Sequence, residues 1–208
     1  SRTRVGILAK RLEGIDASIV RWLQTNDEFV TARKEGRKKF PVFIASAEGG
    51  GLRAGYWAAT VLGELEAATE GRFSQHLYAI SSVSGGSLGG TAFAAELAAR
   101  SSCDPAVKAF ARVKHCVQRF LHNDFLSPIV AYLLFPDLVQ RFIPFVAINS
   151  FDRANAIEHA WEDSWAAVHQ SGEKENLFAE PFERLATAGR PEQPVPVLFL
   201  NATRVETG

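Results

Sequence analysis

The chain has no methionine, two cysteines and no net charge, with 23 Lys and Arg set against 23 Asp and Glu over 208 residues. Each shortage excludes something. Beginning at Ser1 without any methionine, the sequence reads as a fragment or a processed chain. Cys103 and Cys116 are too few for a disulfide scaffold and form neither a C-x-x-C pair nor a zinc spacing. Placed on one helix they would stand about 20 Å apart, so two partly buried free thiols are expected. The balanced charge lacks the basic excess of a nucleic-acid binder, and no such partner is expected. No stretch of 18 uncharged apolar residues occurs, and the opening SRTRVGILAKRLEG has no signal-peptide apolar core. A cytoplasmic or peripheral membrane location is the expectation. His159 and His169, ten residues apart on one helical run, would lie about 15 Å apart along the axis. His76, His115 and His122 show no ligand spacing, so neither a metal site nor a cofactor is assigned.

What is present suits a globular protein. With 47% apolar and 22% charged residues the composition fits one domain, and a compact chain of 22.8 kDa would expose about 9,600 Å². Residues 1 to 40 read as a helical, charged segment, with IDASIVRWLQ amphipathic and TARKEGRKK a solvated basic run. Residues 41 to 208 read as the main domain. PVFIASA is a buried strand, and EGGGLRAGYWAATVLGELEAAT is a glycine loop leading into a helix with Leu52, Tyr56, Ala59, Leu62 and Leu65 at helical spacing. HLYAISSV is a second strand, followed by a glycine-serine turn and a helix beginning near Leu88. Helices at PAVKAFARVKHCVQRFL and FDRANAIEHAWEDSWAAVHQ follow, the latter capped by Ser150 or Asp152, and PVPVLFLNAT closes as a strand. Strand, loop, helix, strand, turn, helix demands a parallel sheet covered by helices, an α/β fold.

Two motifs carry chemistry. Gly85-Gly86-Ser87-Leu88-Gly89 is a G-x-S-x-G sequence between a strand and a helix, the setting of a nucleophile elbow in which a sharp turn lifts a serine hydroxyl to a helix N-terminus. Ser87 is the expected nucleophile, with Gly85 and Gly89 as its small flanking residues. Glu48-Gly49-Gly50-Gly51-Leu52-Arg53 follows the first strand, and three glycines without side chains can turn their N–H groups onto one oxyanion. Gly49-x-Gly51-x-x-Ala54 also fits a dinucleotide fingerprint, but the second strand ends in Ser82-Val83-Ser84-Gly85 without the acidic residue that would take a ribose. No P-loop motif occurs.

In order and spacing, GGGLR after one strand and SGGSLGG after the next resemble the patatin-like phospholipase family over residues 41 to 208, and FPDLVQRF, FDRANAIEHAWE and LFLNATRVETG resemble segments of its large bacterial members. The resemblance implies a three-layer α/β/α patatin-like fold with a mostly parallel central sheet and a nucleophile elbow. It implies a serine lipid acyl hydrolase of phospholipase A or lysophospholipase type, needing no metal or cofactor, with a Ser-Asp dyad. Ser87 would be the nucleophile, Gly49, Gly50 and Gly51 the oxyanion loop, and Arg53 the basic residue after it. Two departures stand out: Ala54 occupies the position after that arginine where the family has glycine, and the sequence has no Asp-Gly pair. The dyad aspartate is therefore expected beyond Gly208, and the domain is expected to be incomplete. The implied partner is a phospholipid or other acyl-ester lipid. The apolar run from 128 to 148, with Tyr132, Phe135, Phe142 and Phe145, is expected to face the acyl chain or a membrane surface. Two other functions are weighed: a Ser-His-Asp esterase, for which Asp152 with His159 or His169 satisfies the chain order but not the topology because both would come from one helix, and an inactive lipid-binding module.

Overall fold

β-Branched and aromatic residues favour extended backbone, and three short runs that contain them form the three strands. The computed structural model describes residues 14–99, 103–138, 142, 153–169, 176–190 and 193–203. Strands β1 (Phe43–Ala47), β2 (Leu77–Val83) and β3 (Val197–Asn201) make a parallel sheet in the order β1-β2-β3. Parallel neighbours need crossovers, and helices supply them. The helices are α1 (Ile15–Thr25), α2 (Asp27–Lys34), α3 (Gly51–Ala68), α4 (Arg72–His76), α5 (Gly85–Ala98), α6 (Ala109–Leu121), α7 (Leu126–Tyr132), α8 (Arg153–His169) and α9 (Phe182–Thr187). A π-helical turn at Leu133–Asp137 continues α7. The expected caps Ser150 and Asp152 lie outside the described residues.

The register fixes which side chains face which layer. Phe43 pairs with Leu77 and Ile44 with Ala79, so Tyr78 is an extra residue that bulges β2. Before and after the bulge, Leu77 and Ile80 join the main core with Phe93 and Leu97 of α5. Tyr78 and Ala79 face the other way, where Tyr78 meets Trp22 of α1 edge-on with ring centroids 5.6 Å apart. The N-terminal helix thus covers one face of the sheet and α5 the other. Helix α5 is buried almost all round, as a central helix must be. Helix α6 is one-sided, burying Val113, Cys116, Val117, Phe120 and Leu121. Phe120 anchors an aromatic cluster with Phe125, Trp165 and Phe178.

Three expectations need correction. Of the apolar residues expected on the stripe of α3, Ala59 and Leu62 are buried but Leu52, Tyr56 and Leu65 are exposed, and Gly55, Gly63 and Glu66 are buried instead. Small residues let the helix backbones approach. A Cβ added at Gly63 would sit 2.7 Å from the Lys114 Cα on α6. Strand β1, expected to be buried, leaves Ile44 exposed, as β3 leaves Phe199 and Leu200, because each of these strands pairs on one side only among the described residues. The cysteines are not free. Cys103 precedes α6 instead of lying on it, and the turn at residues 104–108 brings it back against Cys116, with Cα atoms 5.7 Å apart and a disulfide between them.

That bridge joins residues 13 apart, and closing a loop of this length in the unfolded chain stabilises the fold by about 3 kcal/mol. Reducing it with a phosphine should lower the urea midpoint accordingly without changing the far-ultraviolet circular dichroism of the folded state. An unchanged midpoint would show that the bridge does not constrain the unfolded chain.

Candidate functional site

In a parallel α/β sheet, ligands gather at the carboxyl ends of the strands, where helix N-termini converge. Here β1 ends at Ala47 and α3 starts at Gly51, while β2 ends at Val83 and α5 starts at Gly85. The connecting residues are under backbone constraint. Gly50 has φ +148° and Gly51 φ +64°, conformations that a side chain disfavours.

Ser84 is the N-cap of α5 with φ +52° and ψ −125°, and its side chain makes no capping hydrogen bond. A serine held there is strained by about 1–3 kcal/mol, and such strain persists only where the surroundings enforce it. The surroundings are backbone packed on glycine. A Cβ on Gly85 would overlap the Gly51 carbonyl oxygen, and one on Gly86 would lie 2.5 Å from the carbonyl oxygens of Ala47 and Glu48. Gly85 and Gly86 accordingly take up helical positions despite their poor propensity, and α5 begins three residues earlier than the sequence suggests.

The early start moves Ser87 into the helix. Its N–H donates to the Ser84 carbonyl at 2.9 Å, within the first turn, and its side chain is half-buried, whereas Ser84 is exposed. The glycine loop also lies over Ser84: the position of a Cβ on Gly49 is 3.1 Å from Ser84 Cβ and 3.7 Å from Ser84 Oγ. Gly85 and Gly89 have a packing role. A Cβ on Gly89 would overlap the Gly55 carbonyl oxygen, so the two residues that complete G-x-S-x-G are the contact surface of α5 against α3. The positive-φ residue of this strand-to-helix turn is Ser84, about one helical turn upstream of Ser87.

Both serines line a cleft of about 900 Å³ together with Gly50, Gly51, Arg53 and Gly85. Its walls are mainly apolar, with Leu126 and Ile129 from α7, Ile157 and Trp161 from α8, and Phe178 and Leu185 further along the chain. Glu158, Glu162 and Glu180 bring carboxylates to it.

No aspartate whose side chain is described lines the cleft; these are Asp16, Asp27, Asp104, Asp124 and Asp163. Asp124 accepts hydrogen bonds from the Ser127 hydroxyl and from the N–H groups of Ser127 and Leu126, and these hold its carboxyl below the usual range. Asp104 contacts His115 at 3.6 Å. Neither histidine of the expected triad lines the cleft: His159 pairs with Glu162 at 3.2 Å, and His169 is buried beside Glu96. Asp152 lies outside the described residues. Comparison with protein-family models, with curated proteins and with solved structures finds no match to this chain.

Proposed function

We propose that this chain carries the nucleophile and oxyanion loop of a serine acyl hydrolase acting on lipid esters, with Ser84 in place of Ser87 as the attacking residue. The observation that carries the reading is the strained, uncapped Ser84 directly beneath the glycine loop at the mouth of an apolar cleft. A strand-to-helix elbow presents its hydroxyl at the N-terminus of α5, where free N–H groups and the helix dipole favour negative charge.

In the proposed reaction Ser84 Oγ attacks the ester carbonyl carbon as its proton passes to a carboxylate base. The carbonyl oxygen becomes an oxyanion facing the N–H of Gly85, the residue after the nucleophile, and those of the glycine loop. Collapse breaks the ester C–O bond, the alcohol leaves with the proton, and water then releases the fatty acid from the acyl-serine. The resemblance assigns the base to an aspartate. Apolar walls suit the acyl chain, and the patatin-like three-layer arrangement remains the architecture proposed for the whole domain.

The run from 128 to 148 divides its work. Ile129 on α7 lines the cleft, whereas Phe135 and Phe142 are 70% and 78% exposed. Exposed aromatics beside an apolar cleft fit contact with the surface from which a water-insoluble ester is drawn. Phe135→Ser and Phe142→Ser should each leave stability within about 0.5 kcal/mol of wild type, as exposed positions do, while weakening binding to phosphatidylcholine vesicles. Unchanged vesicle binding would remove the membrane role. Phe145 lies outside the described residues.

The reading is tested with a fluorophosphonate probe and a fluorogenic acyl ester on the full-length protein. Adduct mass should map to Ser84. An intact cleft that binds lipid but accepts neither reagent would make the protein a lipid-binding module.

A further inference from the structure

Sequence spacing suggested no metal site, yet the fold brings together three ligand-type side chains that do not line the cleft. Glu96 stands on the last turn of α5, Cys116 on α6 and His169 at the end of α8. All three are buried, and one ligand atom from each lies within 4.8 Å of the others. His169 Nε2 and Glu96 Oε1 form a buried contact at 3.0 Å, and the second Glu96 carboxylate oxygen has no hydrogen-bond partner among the described residues. Burying polar atoms this way costs free energy unless something engages them.

The histidine is oriented as a ligand. Its Nδ1–H donates to the Trp165 carbonyl at 3.2 Å and its ring stacks on the Trp165 indole with centroids 3.9 Å apart. That leaves Nε2 as the ring atom facing Glu96, the arrangement in which a backbone carbonyl orients a metal-binding imidazole. Only Cys116 is unable to ligate, because its sulfur is bonded to Cys103.

We propose that Glu96, Cys116 and His169 form a redox-gated site for a thiophilic divalent cation such as Zn²⁺, closed while the disulfide stands and opened by a dithiol reductant. Reduction breaks the S–S bond with two electrons and two protons from the dithiol, which is itself oxidised to a disulfide. Zn²⁺ then displaces the thiol protons and bonds to Cys116 Sγ, His169 Nε2 and a Glu96 oxygen. Cys103, freed beside them, completes four-coordination; water replaces it where Cys103 is absent. Ligand atoms around tetrahedral zinc sit about 3.5 Å apart, so the group needs to contract by roughly 1 Å. Two thiolates, one carboxylate and Zn²⁺ sum to one negative charge. Arg112 lies alongside to balance it, its guanidinium donating to the Glu96 and Ala99 carbonyls and acting electrostatically on the Glu96 carboxylate.

The test uses Co²⁺, whose thiolate bonds absorb in the near ultraviolet, on the whole chain. Oxidised protein should show no such band. After a phosphine reductant, which cuts the bridge without chelating the metal, one equivalent of Co²⁺ should generate it, and Zn²⁺ should erase it. Cys103→Ser leaves Cys116 free and should bind without any reductant, whereas Cys116→Ser and His169→Ala should lose the band. Circular dichroism establishes that each variant is folded. The proposal falls if folded Cys103→Ser and reduced wild type both lack the band, or if the oxidised protein binds equally well.

Discussion

Ser84→Ala should abolish fluorophosphonate labelling and reduce ester turnover by at least about 1,000-fold, while Ser87→Ala keeps labelling and most activity. Removing a serine nucleophile leaves only the residual catalysis of the oxyanion donors and substrate binding, which is why the expected loss is so large. The two variants separate the readings cleanly. Ser87 lies one turn into α5 with its N–H on the Ser84 carbonyl, so alanine there is compatible with the helix. Alanine at Ser84 keeps a Cβ in the strained conformation and deletes only the hydroxyl, so the fold should survive. Labelling that vanishes with Ser87→Ala and persists with Ser84→Ala would return the nucleophile to the G-x-S-x-G serine.

Gly85→Ala should destabilise the protein by about 3 kcal/mol or more, at or beyond the upper end of ordinary overpacking. The added methyl would overlap the Gly51 carbonyl oxygen, and that oxygen belongs to the first residue of α3, not to a side chain that could swing away. Relief requires α3 and α5 to part at the point where the glycine loop meets Ser84, so activity should fall with stability. Gly14→Ala, whose added Cβ meets nothing within 4 Å, is the control and should change stability by under about 0.5 kcal/mol. A Gly85→Ala protein as stable as wild type would mean that the contact between α3 and α5 is looser than the structure has it.

Glu66 and Glu96 show why some features escape a reading of the sequence. Both are charged residue types within helical runs, and nothing in their spacing marks them as buried. In the fold, Glu66 accepts from both the N–H and the hydroxyl of Ser74 at 2.8 Å, and burial pushes its carboxyl up. Glu96 is also raised by burial, and it faces a histidine from a helix more than sixty residues away in sequence. Such partners are set by the packing of α5 against α6 and α8, which local spacing does not encode.

Strands β1, β2 and β3, the glycine loop and the helices after each of the first two strands follow from local sequence, because apolar run length, β-branching and glycine punctuation act over a few residues. Parallel pairing follows as well, since strands separated by helices have no tight turn to make them antiparallel. The choice between Ser84 and Ser87 did not follow. Either serine has small residues around it, and what distinguishes them is a backbone angle enforced by carbonyls of the neighbouring strand and helix. The bridge between Cys103 and Cys116 was hidden for a related reason: spacing along one helix is a valid ruler only if both residues lie on that helix, and Cys103 lies on the turn before it. Periodicity and composition settle which segments become strands and helices, whereas the side chains and backbone groups that meet at a site depend on contacts between segments far apart in the chain, and these exist only once the layers have packed.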